Sequence, residues 1–138
     1  GAELSAVPAP GGHAVQIRYH LGGHRWAGLV RGVAHLDLGG AGIFALRLKG
    51  EHRARLVAVL EERDGSKYET NIELDPDAGW TDVALPVEQF ILDPTTDDEN
   101  RQVDLDQLRV VILVVDTFNA SVDQTGHGMV LVDRVEFK

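Results

Sequence analysis

The sequence predicts an all-β protein built as two antiparallel sheets packed into a β-sandwich or jelly roll. Three observations predict it. Segments of six to nine residues repeatedly alternate apolar and polar side chains, the period of a half-buried strand. Fifteen glycines and five prolines cut the chain between those segments. No stretch sustains the 3.6-residue period of an amphipathic helix.

The elements follow in order. Residues 1–12 combine small residues with Pro8, Pro10 and a Gly pair, the composition of a flexible arm or linker end, so the domain proper is placed at 13–138. From His13 to Leu21, Val15, Ile17, Tyr19 and Leu21 alternate with Ala14, Gln16, Arg18 and His20. Gly22-Gly23 permits a turn, and Trp26 to Val33 is the next strand. After the Gly39-Gly40-Ala41-Gly42 turn, Phe44, Leu46 and Leu48 share one face of a strand over 43–49. Leu56, Ala58 and Leu60 do the same over 55–61. Asp64-Gly65 is a hairpin signal with Lys67 to Leu74 as the return strand. Asp75 to Gly79 forms a turn before a short strand over 80–85. Pro86 can open one helical turn over 87–90. Residues 93–103 form a polar loop, and Asp104 can cap a turn reaching Leu108. Arg109 to Asp116 is the most apolar run and so the most central strand. A loop over 117–128 leads to a closing strand over 129–137. Each aliphatic side chain turned inward contributes about 1.5–3 kcal/mol when fully buried, and 43% hydrophobic residues supply enough of them for a core.

Composition restricts function. The chain has 138 residues, 22 acidic against 13 basic, and a net charge of -9. That balance argues against nucleic acid and anionic membranes as partners. No run approaches a spanning helix. With no cysteine, thiolate chemistry and disulfides are excluded. Serine occurs only at Ser5, Ser66 and Ser121, and nothing orders Ser121, Asp123 and His127 as nucleophile, orienter and base. Glu61 and Glu62 are adjacent on a strand and therefore point to opposite faces, which excludes them as a facing acid pair. His20 and His24 flank a turn with no third ligand in view. Asp97-Asp98-Glu99-Asn100 has the oxygen donors that calcium prefers, in a loop whose default state is solvated. Gly39 to Gly42 precedes a strand rather than a helix, so it is a turn and not a phosphate loop. The expectation is a chain that is not an enzyme. Trp26 and Trp80 are each a core anchor or a stacking platform, and Tyr68 is a core-edge residue or a ligand contact.

Six segments in fixed order carry a resemblance. Trp80, Val83, Leu85, Pro86, Val87 and Phe90 form W-x-x-V-x-L-P-V-x-x-F. Trp26-Ala27-Gly28-Leu29 opens a strand, and Ile43 to Gly50 reads I-F-A-L-R-L-K-G. Asp64-Gly65 runs to Tyr68, Val103 to Leu108 reads V-D-L-D-Q-L, and Met129 to Phe137 closes the chain as M-V-L-V-D-R-V-E-F. Together they resemble galactose-binding-like β-sandwiches, and most closely family 11 carbohydrate-binding modules and the complex I intermediate-associated protein domain. The resemblance spans roughly residues 13–138. It implies a jelly roll whose concave face accepts a polysaccharide or oligosaccharide without catalysis. It also implies a secreted or extracytoplasmic setting within a larger protein, and a structural calcium with Asp133 as a ligand. On that reading the carbohydrate contacts are Arg25, Trp26, Arg55, Tyr68, Asp116 and His127. The complex I-associated branch implies a protein-interaction or assembly module instead. Several groove aromatics of the glucan-binding members have no counterpart here, and the central strand ends at Val115-Asp116 where a ring is expected. Sugar stacking needs rings, so the pattern implies weak affinity or a ligand other than a glucan.

Overall fold

The computed structural model describes residues 3–9, 12–20, 27–98, 101–116 and 127–138. Among the described residues, ten strands form two five-stranded antiparallel sheets. They are β1 (Glu3–Ala9), β2 (Gly12–His20), β3 (Ala27–Gly32), β4 (Ile43–Gly50), β5 (Ala54–Glu62), β6 (Lys67–Leu74), β7 (Thr81–Pro86), β8 (Ile91–Leu92), β9 (Leu108–Asp116) and β10 (His127–Phe137). One sheet has the order β1-β2-β10-β4-β7 and the other β3-β9-β5-β6-β8. Among the described residues the only helical turns are short 3-10 segments at Pro76–Ala78, Val87–Gln89 and Leu105–Gln107. The expected all-β sandwich is the fold.

The alternation seen in the sequence is the cause of the layering. Phe44, Leu46 and Leu48 of β4 and Val130 and Val132 of β10 turn inward from one sheet. Leu56, Ala58 and Leu60 of β5, Tyr68 and Ile72 of β6, and Val111, Leu113 and Val115 of β9 meet them from the other. Phe44 is fully buried, with its ring centroid 6.1 Å from Phe90 in an edge-to-face contact and 5.2 Å from Phe137. The carbonyl of Lys138 accepts from the amides of Gly42 and Ile43, which ties the chain end to the start of β4.

Two local expectations are corrected, and one short strand is added. The stretch expected as a loose arm carries β1, paired with β2 along its whole length from Glu3 opposite Arg18 to Ala9 opposite Gly12. β1 lies at a sheet edge, where Pro8 removes no ladder hydrogen bond that a further strand needs. Ile91–Leu92 pairs with β6 as a two-residue strand, although its sequence carries no strand signal. Asp104 precedes the 3-10 turn at Leu105, but its side chain makes no cap; its amide instead donates to Glu62. The other turn chemistry follows the sequence. Gly65 has φ 90° in the Asp64-Gly65 hairpin, and Asp75 accepts from the amide of Asp77.

Candidate functional site

The outward face of the β3-β9-β5-β6-β8 sheet is built by the residues that alternate with the core. β5 turns Leu56, Ala58 and Leu60 inward, so Arg55, Val57, Val59 and Glu61 face out. On β9, Val115 is 1% exposed and inward, which leaves Val110, Ile112, Val114 and Asp116 outward. Strand register then sets the rows. Arg55 lies opposite Asp116 on one side and Glu73 on the other. Arg55 Nε donates to Glu73 Oε1 at 2.6 Å. Two residues along, Gly28, Val114, Val57 and Asn71 share a row, and the next holds Val30, Ile112, Val59 and Glu69. At the far end Glu61 accepts from Arg109 and lies 3.8 Å from Lys67 Nζ. The face therefore holds two aliphatic rows, with Val59 buried among them, between two charged rows ~20 Å apart, six residues along β5 at ~3.3 Å per residue.

Of the residues expected to contact carbohydrate, Arg55 and Asp116 come together here as register partners. Arg25 and Trp26 lie outside the described residues. His127 is placed by its backbone at the start of β10, opposite His20, on the other sheet. Tyr68 is corrected: it pairs with inward-facing Leu60, is 1% exposed, and belongs to the core. A ring so buried offers no free face for stacking on a sugar. Sequence reasoning misses Glu73, because its pairing with Arg55 is a cross-strand event and no local motif marks it.

A second cluster sits at the end of the sandwich. As expected, Glu61 and Glu62 point oppositely, and Glu62 is 2% exposed. Glu62 Oε1 accepts from Ser66 Oγ at 2.7 Å, and Oε2 from the Asp104 amide at 2.7 Å. Ser66 Oγ also lies 2.6 Å from Asp64 Oδ1. One hydroxyl proton serves only one of these carboxylates at a time. The Tyr68 hydroxyl donates to Asp98. Carboxylate oxygens of Glu62, Asp64 and Asp98 lie within 4.8 Å of one another. Burial pushes the Glu62 carboxyl above its ordinary value; the Ser66 and Asp104 hydrogen bonds oppose this and Asp98 adds to it. Burial and then the Asp98 hydrogen bond and charge raise the Tyr68 phenol. Hydrogen bonds from Ser66 lower Asp64. Of the acidic loop, Asp97 and Asp98 are described, whereas Glu99 and Asn100 lie outside the described residues.

Asp133, the expected calcium ligand, stands elsewhere. It is 7% exposed on β10, in register with Arg47 of β4, and 3.8 Å from Arg134 Nε. Among the described residues its Oδ2 is buried without a hydrogen-bond partner, and the Arg47 guanidinium turns instead to Asp82, 4.0 Å away, and to the Trp80 ring. The one group of three acidic or histidine side chains close enough to share an ion, among the described residues, is Glu62, Asp64 and Asp98. Trp80 is half-buried with the Arg47 guanidinium 5.6 Å from its ring centroid.

The fold defines a class: an antiparallel two-sheet β-sandwich of the jelly-roll type. No protein-family model and no curated protein sequence matches the chain. Solved structures do. The family 11 carbohydrate-binding module of the cellulosomal cellulase Lic26A-Cel5E of Clostridium thermocellum is 16% identical, with a TM-score of 0.71 over 99% of this chain and 82% of that one. The family 11 module from Clostridium thermocellum in complex with a beta-1,3-1,4-mixed-linked tetrasaccharide is 15% identical, with a TM-score of 0.73 over the same shares. An exo-beta-agarase is 10% identical with a TM-score of 0.67, and this chain spans 22% of its length. The resemblance to family 11 modules thus holds at the level of the fold.

Proposed function

We propose that the chain is a non-catalytic carbohydrate-binding module that takes a polysaccharide or oligosaccharide on the outward face of the β3-β9-β5-β6-β8 sheet. The observation that carries this reading is the Asp116–Arg55–Glu73 row at one end of an open aliphatic strip, on a fold shared with modules of that kind. Arg55 and Asp116 supply hydroxyl donors and acceptors; Arg25 and Trp26 are the further contacts proposed, while His127, on the other sheet, is not one of them. The setting proposed is a secreted or extracytoplasmic one. Among the described residues, no helix is long and apolar enough to cross a membrane.

A structural calcium is proposed at the Glu62–Asp64–Asp98 cluster, where three side chains converge, whereas Asp133 belongs to no such group among the described residues. The three carboxylates offer the hard oxygen donors that calcium takes, and the ion would relieve the shortage of protons around Ser66. Its role there would be to brace the β5–β6 hairpin against the loop bearing Asp98.

Titration calorimetry against a panel of soluble polysaccharides tests the function. Heat with at least one neutral polysaccharide, reduced about tenfold in affinity by Arg55→Ala, supports it. A folded protein that releases no heat with any of them refutes it. A protein-assembly role is the second reading. Val30 at 53% and Ile91 at 73% exposure, on opposite edges of the same face, favour it. Pull-down of one specific partner, lost on Ile91→Lys, would select it.

A further inference from the structure

We infer that the strip between the charged rows selects a neutral polysaccharide whose rings are poor in free hydroxyls, such as an anhydro-galactose-containing galactan of the agarose type. This deepens the carbohydrate reading and rests on it. The centre of the face is aliphatic in both described rows: Val114 and Val57 in one, Ile112 and Val59 in the next. Val30 extends the second row at the β3 edge. A Cβ added at neighbouring Gly32 would meet nothing within 4 Å, so the edge of the strip is open.

Aliphatic side chains cannot form the C–H/π contacts that hold a fully hydroxylated glucose ring. They reward only the burial of C–H and ether surface. A hydroxyl pressed onto them loses water and finds no partner, which is unfavourable. An internal anhydro bridge converts two hydroxyls into one ether and enlarges the apolar surface of the ring. Such a ring matches the half-buried Val57, Ile112 and Val114 around the buried Val59, while its flanking hydroxyls meet Asn71, Glu69 and the Arg55 row.

Charge argues for neutrality. Arg55 is paired with Glu73, and Arg109 and Lys67 both with Glu61. A sulfated or uronate chain would have to separate these pairs and would lie beside Glu69 and Asp116. A neutral chain leaves them intact.

Affinity electrophoresis with an agarose-type galactan, a mixed-linkage β-glucan and a uronate polymer tests the inference, using the intact protein and its Val57→Thr variant. Threonine is nearly the shape of valine and adds one hydroxyl to the strip. The galactan should bind at least about tenfold more tightly than the glucan, and the uronate polymer should not bind. Val57→Thr, folded by circular dichroism, should shrink that preference severalfold, with Val114→Thr as an independent repeat. Equal or tighter binding of the glucan, or preference unchanged in both variants, overturns the inference while leaving the carbohydrate reading standing. Binding to none of the three, nor to any neutral polysaccharide of the wider panel, overturns both.

Discussion

Glu62→Gln should stabilise the protein at neutral pH when no divalent cation is present. Glu62 is 2% exposed, and its carboxylate faces the acceptors Asp64 and Asp98 around a single serine hydroxyl. Glutamine resolves the shortage of protons. Its carbonyl oxygen can accept from the Asp104 amide, and its amide can donate to Ser66 Oγ and Asp98, which releases the serine proton to Asp64. One hydrogen bond to a charged group is gained and one buried charge removed, worth about 1–2 kcal/mol. For a domain of this size that corresponds to a melting point raised by roughly 3–8 °C. The pH profile carries the same information. The folded-state pKa of Glu62 lies above the ordinary value of 4.5, so the folded protein binds the extra proton. Stability from this group is full below about 4.5 and is lost as pH rises through the folded value. The variant lacks that slope, and the two melting curves should converge in acid. Asp64 and Asp93, both lowered by hydrogen bonds from Ser66 and Thr95, act in the opposite sense, losing their contribution as pH falls through values below 3.8. The assay is thermal denaturation by circular dichroism in EDTA, from acid below the ordinary glutamate value up to neutral pH. A variant less stable than the parent at neutral pH would refute the proton-shortage account of this cluster.

Four further outcomes follow from the same geometry. Calcium in place of EDTA should raise the melting point of the parent and not that of Glu62→Gln, because an ion bound only by the native state stabilises it by mass action; identical midpoints in the parent would discard the ion. Phe44→Ala should cost about 3–5 kcal/mol in urea unfolding, since it empties a fully buried site and removes two ring contacts; a cost below ~1 kcal/mol would contradict the packing described. Tyr68→Phe should lower stability by about 1–3 kcal/mol through the hydrogen bond lost at Asp98, yet leave polysaccharide affinity unchanged because the ring faces the core. Arg55→Ala should leave the unfolding free energy in urea within about 0.5 kcal/mol of the parent, as an exposed ion pair contributes little, so that any loss of binding reports on the face itself.

Side-chain direction is legible in the sequence. Leu56, Ala58 and Leu60 against Arg55, Val57 and Val59 settle which way β5 faces, because the pleat alternates with a period of two whatever the strand's neighbours. The same rule separates Glu61 from Glu62 without reference to any other strand. The turns at Asp64-Gly65 and Asp75 to Gly79 are equally local. Strand pairing is not. β1 holds two alanines and a proline among its seven residues and has no strand-like composition, and its register opposite β2 supplies the reason it is extended. The candidate site depends on that missing layer of information. Arg55, Asp116 and Glu73 are ordinary polar residues until β9, β5 and β6 lie side by side. Asp133 is one acidic residue of a closing strand in the sequence; that its Oδ2 is buried without a partner is a matter of how β10 packs against β4. Tyr68 fits core and ligand contact equally well in the sequence, because a single aromatic among Lys67, Glu69 and Thr70 suits either face; pairing with Leu60 places it inside.

Amino-acid order alone therefore determined a ring-poor, acidic, cysteine-free sandwich and the inward side of its strands, since these depend on dihedral preference and on the period of a single strand. Tertiary structure decided which side chains meet: the aliphatic strip, its two charged ends and the carboxylates gathered at Ser66. Those contacts join residues distant in the chain, and only closure of the two sheets around a common core brings them within reach of one another.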